Sequence, residues 1–98
     1  MASKLTVVAR IRAKAGKEDH VRRELQKLLS PTRSEQGCLN YDLHESVDIP
    51  GEFLFHENWS SKEALDRHLG TPHLKSFLGQ TDQILAEPIE ISLWNKIE

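Results

Sequence analysis

From Leu5 to Ala13 the chain alternates. Leu5, Val7, Ala9 and Ile11 point one way, and Thr6, Val8, Arg10 and Arg12 the other, which is the period of a strand. Lys14–Ala15–Gly16 reads as a turn. The period then changes. Val21, Leu25, Leu28 and Leu29 fall at i, i+4, i+7 and i+8, one stripe of a helix over Lys17–Leu29. Glu18 and Asp19 sit in its first turn, where acids favour the helix dipole. Pro31 is expected to end or kink this helix, with Gly37 as a later cap.

Alternation returns over Cys38–Ser46, with Leu39, Tyr41 and Leu43 on one face. Asp48–Ile49–Pro50–Gly51 is a turn. In the next strand, Glu52–Trp59, Phe53, Phe55, Glu57 and Trp59 share one face and Leu54, His56 and Asn58 the other. The short connection makes the two strands an antiparallel hairpin. Ser60–Ser61–Lys62–Glu63 reads as a capping box opening a helix through Leu69, closed by Gly70. Thr71–Pro72 restarts a helix as N-cap and first residue, with Leu74, Phe77, Leu78, Thr81, Ile84 and Leu85 as its stripe. Pro88 stops it. Ile89, Ile91 and Leu93 then alternate with Glu90, Ser92, Trp94 and Lys96 in a last strand.

The order is β-α-β-β-α-β. The fold class is therefore α+β: a ferredoxin-like, four-stranded antiparallel sheet with its helices on one face. The rows turned away from the helices are not simply polar, because Val8, Leu54, His56 and Trp94 lie there. A half-apolar open face on so small a domain predicts a homodimer.

Composition narrows the partners. The chain has 98 residues, so residues 1–98 form a single domain with a modest core. With 38% hydrophobic and 29% charged residues it is a globular sequence. The net charge of -2 comes with no basic stripe and no interleaved aromatics, which argues against nucleic acid and against anionic lipid. Cys38 is the sole cysteine, so no internal disulfide or zinc knuckle is possible, and a reducing compartment is expected. Met1–Ala2–Ser3–Lys4 runs into strand-like sequence with no apolar core of a signal peptide. No apolar run approaches the roughly 18 residues of a membrane span. A cytoplasmic location and no membrane contact are the expectations.

The candidate chemistry lies where the apolar rows face the helices. Tyr41, Glu57 and Trp59 lie on those rows. His68 joins Leu65 and Leu69 on the inner face of the second helix, and His73 and Phe77, at i and i+4, lie near that of the third. A pocket walled by these six side chains would be aromatic with a few ionisable groups, the usual make-up of a small-molecule site. Each also has a plainer reading. Trp59 and Phe77 suit a core, Tyr41 can hydrogen-bond across it, His68 can be a satisfied core ring, His73 can decorate a first turn, and Glu57 can accept from a nearby loop. His44 and His56 lie on the opposite face, towards the expected dimer interface. No metal site is expected: His68 and His73 are five apart with Pro72 between, unlike the i, i+4 pair of a helical site. Cys38 has no flanking base, and the chain carries no glycine-rich phosphate loop or dinucleotide fingerprint.

Three stretches together resemble a known family. Gly37–Cys38–Leu39–Asn40–Tyr41 is followed by Phe53-x-Phe55-x-Glu57-x-Trp59, then by Glu63–Ala64–Leu65-x-x-His68–Leu69-x-Thr71–Pro72–His73. With the opening Leu5–Thr6–Val7–Val8–Ala9 and Gly16, they are similar to the antibiotic biosynthesis monooxygenase family, in particular its quinol monooxygenase-like branch. The resemblance implies a ferredoxin-like domain pairing into a dimeric α+β barrel. It implies oxidation of a small phenol or quinol by O₂ with no flavin, haem or metal. The pocket residues suit that chemistry: His68 or His73 as base, Glu57 as its orienter or, with a pKa raised by burial, as a base itself, and Tyr41, Trp59 and Phe77 as walls. The haem-degrading relatives use a first-strand asparagine and a third-helix histidine. Here the first strand has no Asn and Leu78 stands at the ligand position, which weighs against haem. Isomerisation or degradation of a small polar carbonyl compound, or binding without turnover in a stress-related dimer, are the alternatives on this scaffold.

Overall fold

A computed structural model describes residues 4–98; the Met1–Ala2–Ser3 start lies outside the described residues. Four strands form one antiparallel sheet in the order β2-β3-β1-β4: β1 Leu5–Arg12, β2 Cys38–Glu45, β3 Glu52–Trp59 and β4 Glu90–Trp94. Between β1 and β2 run α1 Glu18–Lys27 and α2 Leu29–Arg33, and between β3 and β4 run α3 Lys62–Leu69, α4 Pro72–Leu78 and α5 Thr81–Ile84. This is the ferredoxin-like arrangement that the alternating periods predict. Among the described residues no helix is long and apolar enough to cross a membrane.

Register decides which side chains meet. Tyr41 lies opposite Glu57, Glu57 opposite Val7, and Val7 opposite Leu93, so one row crosses the whole sheet on the helix side. The next row is Leu43, Phe55, Ala9 and Ile91. Val21 and Leu25 of α1, with Leu65, Leu74 and Phe77 from the later helices, form one core with Val7, Ala9, Phe55 and Tyr41 of these rows, while the β4 members stay exposed. Removing that apolar area from water is the main driving force for the fold.

The helices are more broken than their stripes suggest. Pro31 has no N–H for the carbonyl of Lys27, so the first helix yields at Leu28 and restarts as α2, with Pro31 in its first turn. The last long stripe likewise divides at Gly79–Gln80 into α4 and α5, and Leu78 is left half-exposed. α3 begins one residue later than the expected box. Ser61 is its N-cap, with Oγ accepting from the Ala64 N–H at 3.2 Å, and Glu63 takes no part in the cap.

Two strands also depart from simple alternation. The β2–β3 register slips between Cys38 and Asn40, a bulge that turns Leu39 outward, 56% exposed, and out of the face it was expected to share with Tyr41. β4 is an edge strand with both rows exposed: Ile91 is 54%, Leu93 48% and Trp94 58% accessible. The helices stop short of this edge. On the open face, Val8 and Leu54 are half-buried and a polar chain crosses between strands. Thr6 Oγ1 donates to Asn58 Oδ1 (2.6 Å), and Asn58 Nδ2 donates to Asn40 Oδ1 (2.7 Å).

Gly37 fixes how the α2–β2 turn meets α3. Its φ is +89°, and a Cβ there would lie 2.6 Å from Ala64 Cβ and 2.8 Å from Ser60 Oγ. Its carbonyl accepts from the Ser60 N–H at 2.8 Å. Only glycine suits both the left-handed backbone and that close approach. The residue it brings against α3 is Glu35.

Candidate active site

α3 places His68 inward. Ala64, Leu65 and His68 share its buried face, and His68 is 3% exposed. Its ring centre lies 4.7 Å from that of Trp59 and 5.5 Å, edge-on, from that of Tyr41. The chain then turns sharply. Thr71 Oγ1 donates to the His68 carbonyl at 2.8 Å, and Pro72 starts α4 in the first helical position, where no N–H is needed. That turn brings the His73 ring to 6.2 Å from His68.

Both rings converge on one carboxylate that sequence reasoning missed. Glu35 Oε2 lies 2.8 Å from His68 Nδ1 and 2.7 Å from His73 Nε2. A carboxylate accepts only, so the rings donate, and His68 carries its proton on Nδ1. Its Nε2 makes no hydrogen bond among the described residues and is the nitrogen left for the cavity that His68 lines. Burial holds the His68 pKa below its ordinary value, against the opposing pull of Glu35, and so favours the neutral ring. A neutral imidazole with a fixed tautomer and a free Nε2 has the chemistry a general base needs. Glu35 lies in a turn with no periodicity. Only its place two residues before a glycine that must dock closely hints at it.

The cavity has a volume of about 290 Å³ and is almost wholly apolar. Tyr41, Glu57, His68 and Phe77 line it, as expected, with Leu74 and Ile91 among the aliphatic walls. Trp59 and His73 do not. Trp59 is fully buried behind His68, and His73 stands on the far side of Glu35. Glu57 orients neither histidine. Its Oε1 accepts from the Trp59 indole N–H at 2.9 Å, which leaves the imidazoles to Glu35. Burial raises the Glu57 carboxyl to about 7, with the Trp59 hydrogen bond working against it and the Glu35 charge adding to it. Tyr41 stacks on Phe55 at 4.4 Å, and burial, then the Glu57 charge, holds its phenol far above the usual range.

An open-mouthed apolar cavity with a carboxylate-bound imidazole and a second carboxyl of raised pKa on a ferredoxin-like domain has the make-up of a small-molecule site. The sequence profile of the antibiotic biosynthesis monooxygenase family matches residues 4–80, and the chain belongs to that family. It is 36% identical over 93 residues to "Putative monooxygenase Rv0793" of Mycobacterium tuberculosis, covering 95% of this chain and 91% of that protein. "Probable quinol monooxygenase YgiN" of Escherichia coli is 31% identical over 83 residues, 74% of this chain and 80% of that one. The crystal structure of PA3566 from Pseudomonas aeruginosa superposes with a TM-score of 0.94 at 34% identity, covering 100% of this chain and 98% of the other.

Glu57 gives the site a measurable pH signature. Its folded pKa of about 7 lies above the ordinary 4.5, so between those values the folded chain keeps a proton that the unfolded chain has released. The group therefore costs stability as pH rises through that window, up to about 3 kcal/mol above it. Glu57→Gln keeps an acceptor for Trp59 and removes the titration. Its melting temperature is expected to rise relative to the parent between pH ~5 and pH ~7.5. A difference that stays flat with pH contradicts this assignment.

Proposed function

We propose that the protein is a cofactor-independent monooxygenase that oxidises a small phenol, quinol or related ring with O₂. The observation that carries this reading is the His68 Nε2, without a hydrogen-bond partner among the described residues, on a ring that lines an apolar cavity, with Nδ1 fixed on Glu35. The volume is at the low end for ligand pockets and suits one or two rings. His68 removes the ring hydroxyl proton, and the phenolate gives an electron to O₂. The radical pair closes to a carbon–peroxide bond. Loss of water then leaves one oxygen atom on the ring as a carbonyl, with the other carried away as water. The phenolate itself is the reductant, so the balance needs no further cofactor. Glu57, near its protonation midpoint at neutral pH, supplies a proton to the departing oxygen. Tyr41 and Phe77 flank the ring, and Trp59 and His73 support His68 and Glu35 from outside the cavity.

The working unit in this reading is a homodimer in the cytoplasm, joined through the open sheet face. Val8 and Leu54 are half-covered there and Trp94 is exposed, a surface that a second copy covers with the same residues. Light scattering should give twice the chain mass; a clean monomer overturns the dimer.

O₂ consumption with a panel of small quinols tests the chemistry. His68→Ala should lower turnover by about 10² to 10⁴ and Glu35→Gln by about 10 to 10². His44→Ala, on the opposite face, should change it little, and all three variants should stay folded at the assay temperature. Full activity in His68→Ala, or loss only through unfolding, removes His68 as the base. No uptake with any quinol by the parent protein rejects the oxygenase reading.

A further inference from the structure

Glu35, His68 and His73 come from three separate segments: the α2–β2 turn, the end of α3 and the first turn of α4. Their donor atoms all lie within 4.8 Å of one another. We propose that they form a binding site for a divalent transition-metal ion of the zinc and cobalt class, held by His68 Nδ1, His73 Nε2 and the Glu35 carboxylate.

The donor set is two imidazole nitrogens and one carboxylate, the mixture that suits such ions. A tetrahedral ion with ligands at roughly 2.0–2.1 Å sets its donors about 3.3 Å apart. The present separations from Glu35 Oε2 are 2.7 and 2.8 Å. Each ring therefore needs to move from the carboxylate by only about half an ångström. His68 is already held between Tyr41 and Trp59. The His73 and Glu35 side chains keep 23% and 13% of their surface accessible, which gives an ion a way in and a water the fourth position. The Glu35 carboxylate supplies the negative charge of the site. Arg33, from the same turn, points its guanidinium at the Tyr41 carbonyl and at Asp42. The five-residue spacing of the histidines rules out a pair on one helix, but not a pair completed by Glu35 from another segment.

Occupancy has a consequence that rests on His68 being the base. A metal ion on Nδ1 displaces the ring proton to Nε2. The cavity nitrogen then becomes a donor and cannot accept a proton from a substrate. The ion acts as an inhibitor competing with the catalytic tautomer.

Binding and inhibition are tested separately on the full chain. Equilibrium dialysis against Zn²⁺, and visible absorption with Co²⁺ as a probe, should give one ion per chain. Glu35→Gln and His73→Asn should each weaken binding by at least about tenfold, and His44→Ala should not. No binding of either ion, or equal binding by all four proteins, overturns the site. Zn²⁺ should also suppress quinol-dependent O₂ uptake, with activity restored by chelation. If Zn²⁺ binds as expected and turnover is unchanged, the metal site stands and the assignment of His68 as base falls.

Discussion

One carboxylate oxygen shared by two imidazoles organises this structure. His68 is nearly sealed from solvent against Trp59 and Tyr41, where an imidazole with no partner would be costly to bury. Glu35 supplies that partner and fixes which ring nitrogen bears the proton. Delivering Glu35 requires the α2–β2 turn to press against α3, and that contact requires a residue without a Cβ at Gly37. The sharp Thr71–Pro72 turn then brings His73 to the same oxygen. Backbone economy at two turns thus becomes a chemical property of a ring in a cavity.

The sheet does the complementary work. A single row across it, Tyr41–Glu57–Val7–Leu93, sets one acid and one phenol into an otherwise aliphatic floor. Glu57 is tied to Trp59 rather than to a histidine, so two carboxylates in one small domain take different roles. Glu35 accepts from two ring N–H donors. Glu57, with one indole N–H and heavy burial, has its pKa raised to about 7, and in the proposed reaction it is the acid to the base that Glu35 orients. Separate environments for paired carboxyl groups are a common way to divide acid from base work.

Much of this was legible in the sequence because it depends on period. The alternation of β1 and β3 and the stripes through Val21–Leu25 and Leu74–Phe77 follow from burial of one face. The inward placement of Tyr41, Glu57, His68 and Phe77 follows from the same rule. What escaped depends on contacts between distant segments. Leu39 left the core because of a bulge, which extends the strand by one residue without changing its composition. Trp59 and His73 lie behind the cavity wall, since facing the helices is not the same as reaching the space between. Glu35 is marked in sequence only by the nearby Gly37, and its partners are 33 and 38 residues away.

Glu35 accepts from His68 Nδ1, which fixes the Nδ1–H tautomer and leaves Nε2 free. Long-range ¹H–¹⁵N correlation spectra of the uniformly labelled protein at neutral pH read this directly. The His68 resonances should show a protonated Nδ1 and an unprotonated Nε2, and Glu35→Gln should disturb that pattern. A protonated Nε2, or a doubly protonated His68 at neutral pH, contradicts it.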